Sequence, residues 1–234
     1  MKKKIFALTL VAVLVVSVLA ACGTKKQEPA PTEQPSNPAM VGGYEITESP
    51  AAVLPDDLQA VFDEAAGQWN GGELKAIALL GTQVVSGTNY AFLAQSSLGG
   101  PKYHIAFVYK DLDGNVKLSK VADIDVAAAE FGGAMETGIP GGWQIADNTY
   151  AAPNRVDAEV LMEAQAELVG ANYELIANLA TQIVAGTNYR FLCKTTPVTQ
   201  DPAATLTIVT IYKDLDGKVS ITDVQDFNVA EYNQ

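Results

Sequence analysis

The sequence predicts an α+β protein of two tandem domains, each with one helix packed across a four- to five-stranded antiparallel sheet. The chain repeats itself, because Gln83–Tyr90 recurs as Gln182–Tyr189 after 99 residues and Tyr109–Gly114 recurs as Tyr212–Gly217 after 103 residues. Each copy also places one segment of helical periodicity before several segments of strand-like alternation. Two copies of one domain follow from these observations.

The predicted helices have clear starting points. Pro55 followed by Asp56 and Asp57 begins a helix in the first copy, because proline restricts φ and acidic side chains favour a helix N-terminus. Asn154 can cap a helix in the second copy. Each helix carries one apolar stripe, formed by Leu58, Val61, Phe62, Ala65, Ala66 and Trp69 in the first and by Val156, Val160, Leu161, Ala164 and Leu168 in the second. One stripe needs one apolar partner surface.

Strand-like segments after each helix supply that surface. In the first copy they cover residues 74–84, 88–95, 102–109 and 115–126, and the second copy has counterparts. Short connections that contain glycine favour antiparallel hairpins. One face of the third segment is predicted to meet the helix through alternating large side chains, namely Tyr103, Ile105, Phe107 and Tyr109.

The N-terminus has the features of an export signal. A basic start and an apolar run that ends at Leu19 precede Ala20-Ala21-Cys22. This order resembles the bacterial lipobox. The resemblance implies a signal peptide at residues 1–21, acyl chains including palmitate on Cys22, and a protein that is lipid-anchored to the membrane on the extracytoplasmic side of the bacterial cell envelope. An uncleaved N-terminal helix followed by an incidental cysteine is the alternative.

A tether and two domains follow the predicted signal. Residues 22–39 are rich in Pro, Gln, Glu, Ser and Thr and have almost no large apolar side chains, so we expect a disordered membrane tether. At about 3 Å per residue it would hold the folded part up to about 50 Å from the membrane. The predicted domains span residues 40–131 and 138–234.

Charge and cysteine content exclude several classes of protein. Removal of residues 1–21 takes away three lysines and no acid, which moves the formal charge from −12 to −15. Nucleic acid is therefore not expected as a partner. Beyond Cys22 the one sulfhydryl is Cys193, so no disulfide framework is available and stability must come from apolar cores. We expect a monomer.

The turn motif of each copy combines small apolar residues with a glycine. A tight hairpin needs a residue that tolerates positive φ, which Gly87 and Gly186 provide, while Val85 and Val184 supply a small apolar tip. The complete motifs are Gln83, Val84, Val85, Ser86 and Gly87 in the first copy and Gln182, Ile183, Val184, Ala185 and Gly186 in the second. Such a tip has the shape of a wedge.

Glycine pairs near the start of each copy complete the pattern, namely Gly42, Gly43, Gly141 and Gly142. A glycine pair, then a helix, then the turn motif resembles the stefin branch of the cystatin family, and the likeness covers nearly all of residues 40–234. The resemblance implies two tandem cystatin-like domains that inhibit papain-type cysteine proteases. The tip would enter the protease cleft beside the catalytic residues, and the starting glycines would let the preceding chain lie against the non-primed subsites. Inhibition would be reversible occlusion, without a chemical step.

The second turn of each copy departs from the family pattern. Stefins carry a proline-containing second hairpin and secreted cystatins a Pro-Trp there, whereas this chain has Asp-Leu-Asp-Gly at 111–114 and 214–217. Leu112 and Leu215 still offer an apolar contact, but the flanking carboxylates must stay solvated or meet basic residues of the protease. We therefore expect weaker or more selective inhibition. The same residues resemble the start of a calcium loop, but a plain turn is favoured because the other ligands are missing.

Residues that could carry catalysis are few. His104, the single histidine, is replaced by Thr207 in the other copy and is interpreted as a sheet residue, and Cys193 is interpreted as a small buried side chain. The sequence offers no metal-ligand spacing, no phosphate loop and no nucleophile with a visible base, so we expect no enzyme activity, metal or cofactor. The alternative to an inhibitor is a non-inhibitory surface binding or adhesion module, because a fold alone does not determine function.

Overall fold

The structure is a computed structural model that describes residues 43–50, 53–126, 141–148 and 154–234. The predicted signal peptide, the tether, Cys22 and Gly42 lie outside the described residues. All described residues belong to one compact unit, Asn37–Gln234.

The first repeat forms a five-stranded antiparallel sheet with strands in chain order. The strands are β1 (Glu45–Ile46), β2 (Leu74–Val85), β3 (Gly87–Ser96), β4 (Lys102–Lys110) and β5 (Val116–Ile124). Helix α1 (Asp56–Ala66) connects β1 to β2. The long pair β2–β3 reverses direction between Val85 and Gly87, which are themselves paired, so the turn is as tight as the motif predicted.

The second repeat forms an equivalent five-stranded sheet. Its strands are β6 (Trp143–Ile145), β7 (Ala171–Val184), β8 (Gly186–Pro197), β9 (Thr205–Lys213) and β10 (Val219–Asp226), and a short 3-10 helix (Val229–Asn233) follows. Helix α2 (Arg155–Gln165) connects β6 to β7. Register shifts fall at Ala76/Ala78 in β2 and at Leu175/Ala177 in β7, which are 99 residues apart. The repeat in the sequence is therefore also a repeat of backbone geometry.

The two sheets share an apolar core. Side chains from both sheets pack in one cluster, including Leu80, Leu93, Ile105 and Phe107 from the first and Trp143, Ile176, Leu179, Leu192 and Ile208 from the second. The outer face of each sheet carries a helix. On the first sheet, α1 packs near Phe92 and Ala106 through Val61, Phe62 and Ala65. On the second sheet, α2 packs near Phe191 and Val209 through Val160 and Leu161. The central strands of each sheet, β3, β4, β8 and β9, are thus buried on both faces over much of their length.

The predicted fold class, two tandem cystatin-like α+β domains each with one helix packed across its own sheet, is wrong. The described chain is mostly β, and its two five-stranded antiparallel sheets form a single sandwich with two α-helices. The error lies in which face of β4 was predicted to meet the helix. Tyr103, Ile105 and Phe107 lie in the core between the sheets, whereas Ala106 and Val108 pack on the side of α1. A strand buried on both faces loses the simple alternation from which a single apolar face was inferred.

The helix boundaries follow local signals for the most part. The backbone N–H of Asp157 donates to Oδ1 of Asn154 at 3.0 Å, so Asn154 caps α2 as predicted. Two residues of the apolar stripe predicted for the second helix are not buried. Val156 is exposed, and Leu168 lies beyond the end of α2. Both α-helices have 11 residues, and within the described part of the chain no helix is long and apolar enough to cross a membrane.

Candidate functional site

The hairpin turns β2–β3 and β7–β8 expose apolar side chains. We call residues 83–87 the first tip and residues 182–186 the second tip. Val84 is 83% exposed and Val85 49% in the first tip, and Ile183 is 65% and Val184 45% exposed in the second. Adjacent branched apolar side chains at the apex of a surface turn form a patch with no partner inside the described structure.

Glycine is required at the end of each tip. Gly87 has a φ of 131° and Gly186 a φ of 128°, and residues with a Cβ atom rarely adopt this backbone conformation. A Cβ at Gly87 would also collide with the carbonyl oxygen of Lys110 and the ring of Tyr109, and a Cβ at Gly186 would meet Lys213 and Tyr212 in the same way. The tip therefore lies directly against the end of the neighbouring strand.

Side-chain hydrogen bonds hold each tip in one conformation. The Tyr109 hydroxyl donates to the carbonyl oxygen of Ser86 at 2.5 Å, and the Tyr212 hydroxyl donates to that of Ala185. A side-chain amide from the following strand adds a second bond to each tip. Asn89 Nδ2 donates to Gln83 Oε1 at 2.7 Å, and Asn188 Nδ2 donates to Gln182 Oε1 at 2.8 Å. Because these partners come from paired strands, the tips are supported by the sheet itself.

The starting glycines lie beside the tips. Trp143 pairs with Gln182, and Gln182 Nε2 donates to the carbonyl oxygen of Gly141 at 2.7 Å, so Gly141 and Gly142 adjoin the second tip. In the first repeat β1 begins at Glu45, two residues after Gly43, and Glu45 pairs with Thr82 next to the tip. The structure thus brings together predicted residues that are about 40 positions apart in each copy.

The second turns lie at the same end of each sheet as the tips. Thr88 pairs with Lys110 and Thr187 with Lys213, so the turns that follow, at 111–114 and 214–217, adjoin the tips. Leu112 is 85% exposed and Leu215 is 82% exposed. Each repeat therefore presents one apolar edge, formed by Val84, Val85 and Leu112 in the first and by Ile183, Val184 and Leu215 in the second.

Carboxylates shape the second turns from within. Asp111 Oδ1 accepts bonds from the backbone N–H of Asp113 at 2.9 Å and of Asn115 at 2.8 Å, and Asp214 makes the equivalent bonds. The side-chain hydrogen bond from Asn115, with the backbone bonds, lowers the pKa of Asp111. Within the described residues, no group of three or more His, Cys, Asp or Glu side chains is arranged to hold a metal ion. The geometry is that of a side-chain-capped turn.

An arginine that belongs to none of the sequence motifs packs against Trp143 beside the second tip. Arg190 is fully buried in β8, its guanidinium carbon lies 4.0 Å from the ring centroid of Trp143, and its Nη1 donates to the carbonyl oxygen of Val126 at 2.5 Å. Burial lowers the pKa of Arg190 to about 10, so the side chain is still charged at neutral pH. The signal in the sequence was an arginine at the position that Ala91 occupies in the first copy.

A hydrogen-bonded chain joins Ser96, His104 and Asp123 across three strands. Ser96 Oγ lies 2.8 Å from His104 Nε2, and His104 Nδ1 lies 2.8 Å from Asp123 Oδ1. This is the connectivity of a nucleophile, base and orienting acid, which the sequence alone did not reveal because the strand register brings the residues together. Ser96 and His104 are only 4% and 3% exposed, and the ring of Trp69 packs against His104. A substrate could reach the hydroxyl only if these surroundings moved.

The remaining candidates lie away from the tips. Cys193 is buried in β8, and burial raises the pKa of its thiol, which makes it unreactive. A cavity of about 720 Å³ lies between the β3–β4 connection and β6, lined by Tyr103, Ile124 and Trp143, with Asp125 and Lys102 also at its wall. None of the tip residues lines this cavity.

The chain matches no protein-family model and no curated protein. Membership of the cystatin family therefore stays a prediction that rests on the motifs.

Proposed function

We propose that this protein is a reversible, non-covalent inhibitor of papain-type cysteine proteases. Each apolar edge would occlude the active-site cleft of a protease, with the tip as the wedge and the starting glycines alongside it. The observation that carries the proposal is the exposure of two branched apolar side chains on a rigid glycine turn, present twice.

Rigidity is what makes such a small surface useful for binding. The first tip is held by the hydroxyl of Tyr109 and by the side-chain amide of Asn89, so little conformational entropy is lost when it docks. Burial of apolar surface then contributes about 25 cal/mol for each Å² removed from water. A wedge of two or three such side chains supplies an anchor at the centre of an ordinary protein–protein interface.

Occlusion needs no reactive group in the inhibitor. Besides Ser86 and Ala185, the exposed residues of the two tips are valines and an isoleucine, and the starting glycines leave room for a close approach of backbone to the cleft. Asp111, Asp113 and Asp214 flank the leucines of the second turns, so basic residues on the protease rim would favour binding. The protein would thus select among papain-type proteases by charge as well as shape.

The proposed location follows from Cys22. An acylated Cys22 would anchor the protein to the membrane on the extracytoplasmic side of the bacterial envelope, where secreted proteases are met. We propose that the tether at residues 22–39 presents the folded part to them.

Titration of a papain-type protease with the chain from residue 23 onward tests the proposal. We expect tight, reversible inhibition by the unmodified protein and a loss of about a hundredfold or more when Val85→Asp and Val184→Asp are combined, because a buried carboxylate is strongly disfavoured. Val198→Asp is the matched control, since Val198 is 65% exposed and lies outside both tips. Full protease activity at micromolar unmodified protein would contradict the proposal and leave the non-inhibitory binding module.

A further inference from the structure

We infer that Arg190 is a positioning residue for the starting glycines beside the second apolar edge, and that this part of the proposed binding surface is therefore held by both repeats. The inference rests on the proposed function, because it concerns how one of the two proposed protease-binding edges is held. It assigns a role to a buried cation that no part of the binding motif requires.

Arg190 connects three segments of the chain. It lies in β8, four residues after Gly186 of the second tip. Its guanidinium group stacks over Trp143, the first residue of β6, and donates to the carbonyl oxygen of Val126, which follows the last strand of the first repeat. The nearby carboxylates of Asp125 and Asp223 favour its charged form. The cation thus ties the start of the second repeat to the end of the first.

Strand β6 needs such support. It has three residues and three cross-strand pairs at the edge of its sheet, and a strand of this length is marginal without tertiary contacts. Trp143 is 1% exposed and is the largest fully buried side chain among the described residues, so its burial under Arg190 anchors the strand. Gly141 and Gly142 directly precede Trp143, and Gln182 of the second tip bonds to Gly141. Movement of Trp143 would therefore displace the glycines from the tip.

The first repeat lacks this arrangement. Ala91 stands where Arg190 stands in the second repeat, and Tyr44 stands in place of Trp143. Tyr44 is half-buried and packs against Phe107 with ring centroids 5.9 Å apart, without a cation. The two edges are alike at their tips but different in how their starting glycines are held. The second edge is the better preorganised, and preorganisation raises affinity by lowering the entropy lost on binding.

The experiment separates the two edges within one molecule. In the Val85→Asp background only the second edge can bind, and in the Val184→Asp background only the first can. Arg190→Met, which keeps the length of the side chain but removes its charge, is introduced into each background, and Arg190→Lys, which keeps a cation near Trp143, is the matched control. Inhibition constants against one papain-type protease are then compared.

We expect Arg190→Met to weaken inhibition by the second edge about tenfold or more, with partial recovery in Arg190→Lys. Inhibition by the first edge should change by less than about twofold. An equal loss of inhibition in both backgrounds would show that Arg190→Met lowers the stability of the whole protein. Unchanged inhibition by the second edge would show that Arg190 does not position it. Either result overturns the inference while leaving the proposed function intact.

Amide hydrogen exchange tests the inference independently of inhibition. The Ala146 N–H donates to the carbonyl oxygen of Leu179 at 3.0 Å beside β6, and the Thr47 N–H makes the equivalent bond to Leu80 at 3.1 Å beside β1. Arg190→Met should speed exchange at Ala146 and not at Thr47. If the unmodified protein inhibits no protease, the proposed function fails, and this measurement still decides whether Arg190 positions β6. Unchanged exchange at Ala146 would refute it.

Discussion

Position 157 shows how a single residue distinguishes the two repeats. Asp157 in α2 and Asn178 in β7 occupy the positions of Leu58 and Leu79 in the first repeat. Both leucines belong to the apolar cluster between α1 and its sheet. Asp157 is 4% exposed, and its carboxylate accepts bonds from Asn178 Nδ2 at 3.1 Å and Asn154 Nδ2 at 2.6 Å. Burial raises the pKa of Asp157 because it disfavours the charged form more than the two amides favour it.

This raised pKa makes stability depend on pH in a defined direction. The folded protein holds the Asp157 proton more tightly than the unfolded chain, so the stability it contributes is fully present below about pH 3.9 and is lost as the pH rises through the folded pKa. We expect the free energy of unfolding of the unmodified protein, relative to Asp157→Asn, to fall between about pH 4 and pH 7. Urea unfolding of both proteins at the two pH values measures this difference. A relative stability that rises with pH would contradict the prediction.

At the scale of elements, each tip depends on a tyrosine in the neighbouring strand. The alternation of the sequence grouped Tyr109 with the residues predicted to meet the helix, but its hydroxyl bonds to Ser86 in the first tip, and Tyr212 bonds to Ala185 in the second. The same strands supply the backbone against which Gly87 and Gly186 lie. A turn that looks local in sequence is thus held by a strand that follows about 20 residues later.

Removal of one hydroxyl should loosen one tip. In the Val85→Asp background, Tyr212→Phe is expected to weaken inhibition by the second tip about threefold to tenfold, since a net hydrogen bond contributes about 0.5–1.5 kcal/mol. Tyr109→Phe in the same background is the matched control, because it changes the tip that is already blocked. Inhibition constants for the three proteins check this. Equal inhibition by the Tyr212→Phe protein and its parent would show that the hydroxyl does not order the tip.

At the scale of the whole molecule, the shared core makes the repeats depend on each other. The inner faces carry Leu80, Leu93 and Phe107 on one sheet and Ile176 and Leu192 on the other. Without its partner, each sheet would expose a contiguous apolar face, which soluble monomers rarely tolerate. We therefore expect the sandwich to behave as one folding unit.

Separation of the repeats tests this dependence. We expect residues 43–126 alone to unfold or to self-associate through the inner face, and addition of residues 141–234 to restore a one-to-one complex. Sedimentation velocity measures the association state, and circular dichroism on heating measures cooperative unfolding. A monomeric, cooperatively unfolding fragment would show that the inner face does not need the second sheet.

Much of the local structure was predictable from consecutive residues. The cap of α2 at Asn154 and the turns at Gly87 and Gly186 follow from residues that act on the backbone within a few positions, and the repeat follows from comparison of the two halves of the sequence. For the same reason the apolar tips could be named before the fold was known. Ser96, His104 and Arg190 could not be connected to their partners, because those contacts depend on strand register and on the other sheet.

The sequence by itself determined where the chain turns, where its helices begin and which residues stand at the apex of each hairpin. Only the tertiary structure decided what covers each apolar face. Tyr103, Ile105 and Phe107 read equally well as a surface for a helix or for a second sheet, since apolar burial is non-directional and depends on area alone. The choice between those partners is made by packing between residues far apart in the chain, where local pattern carries no information.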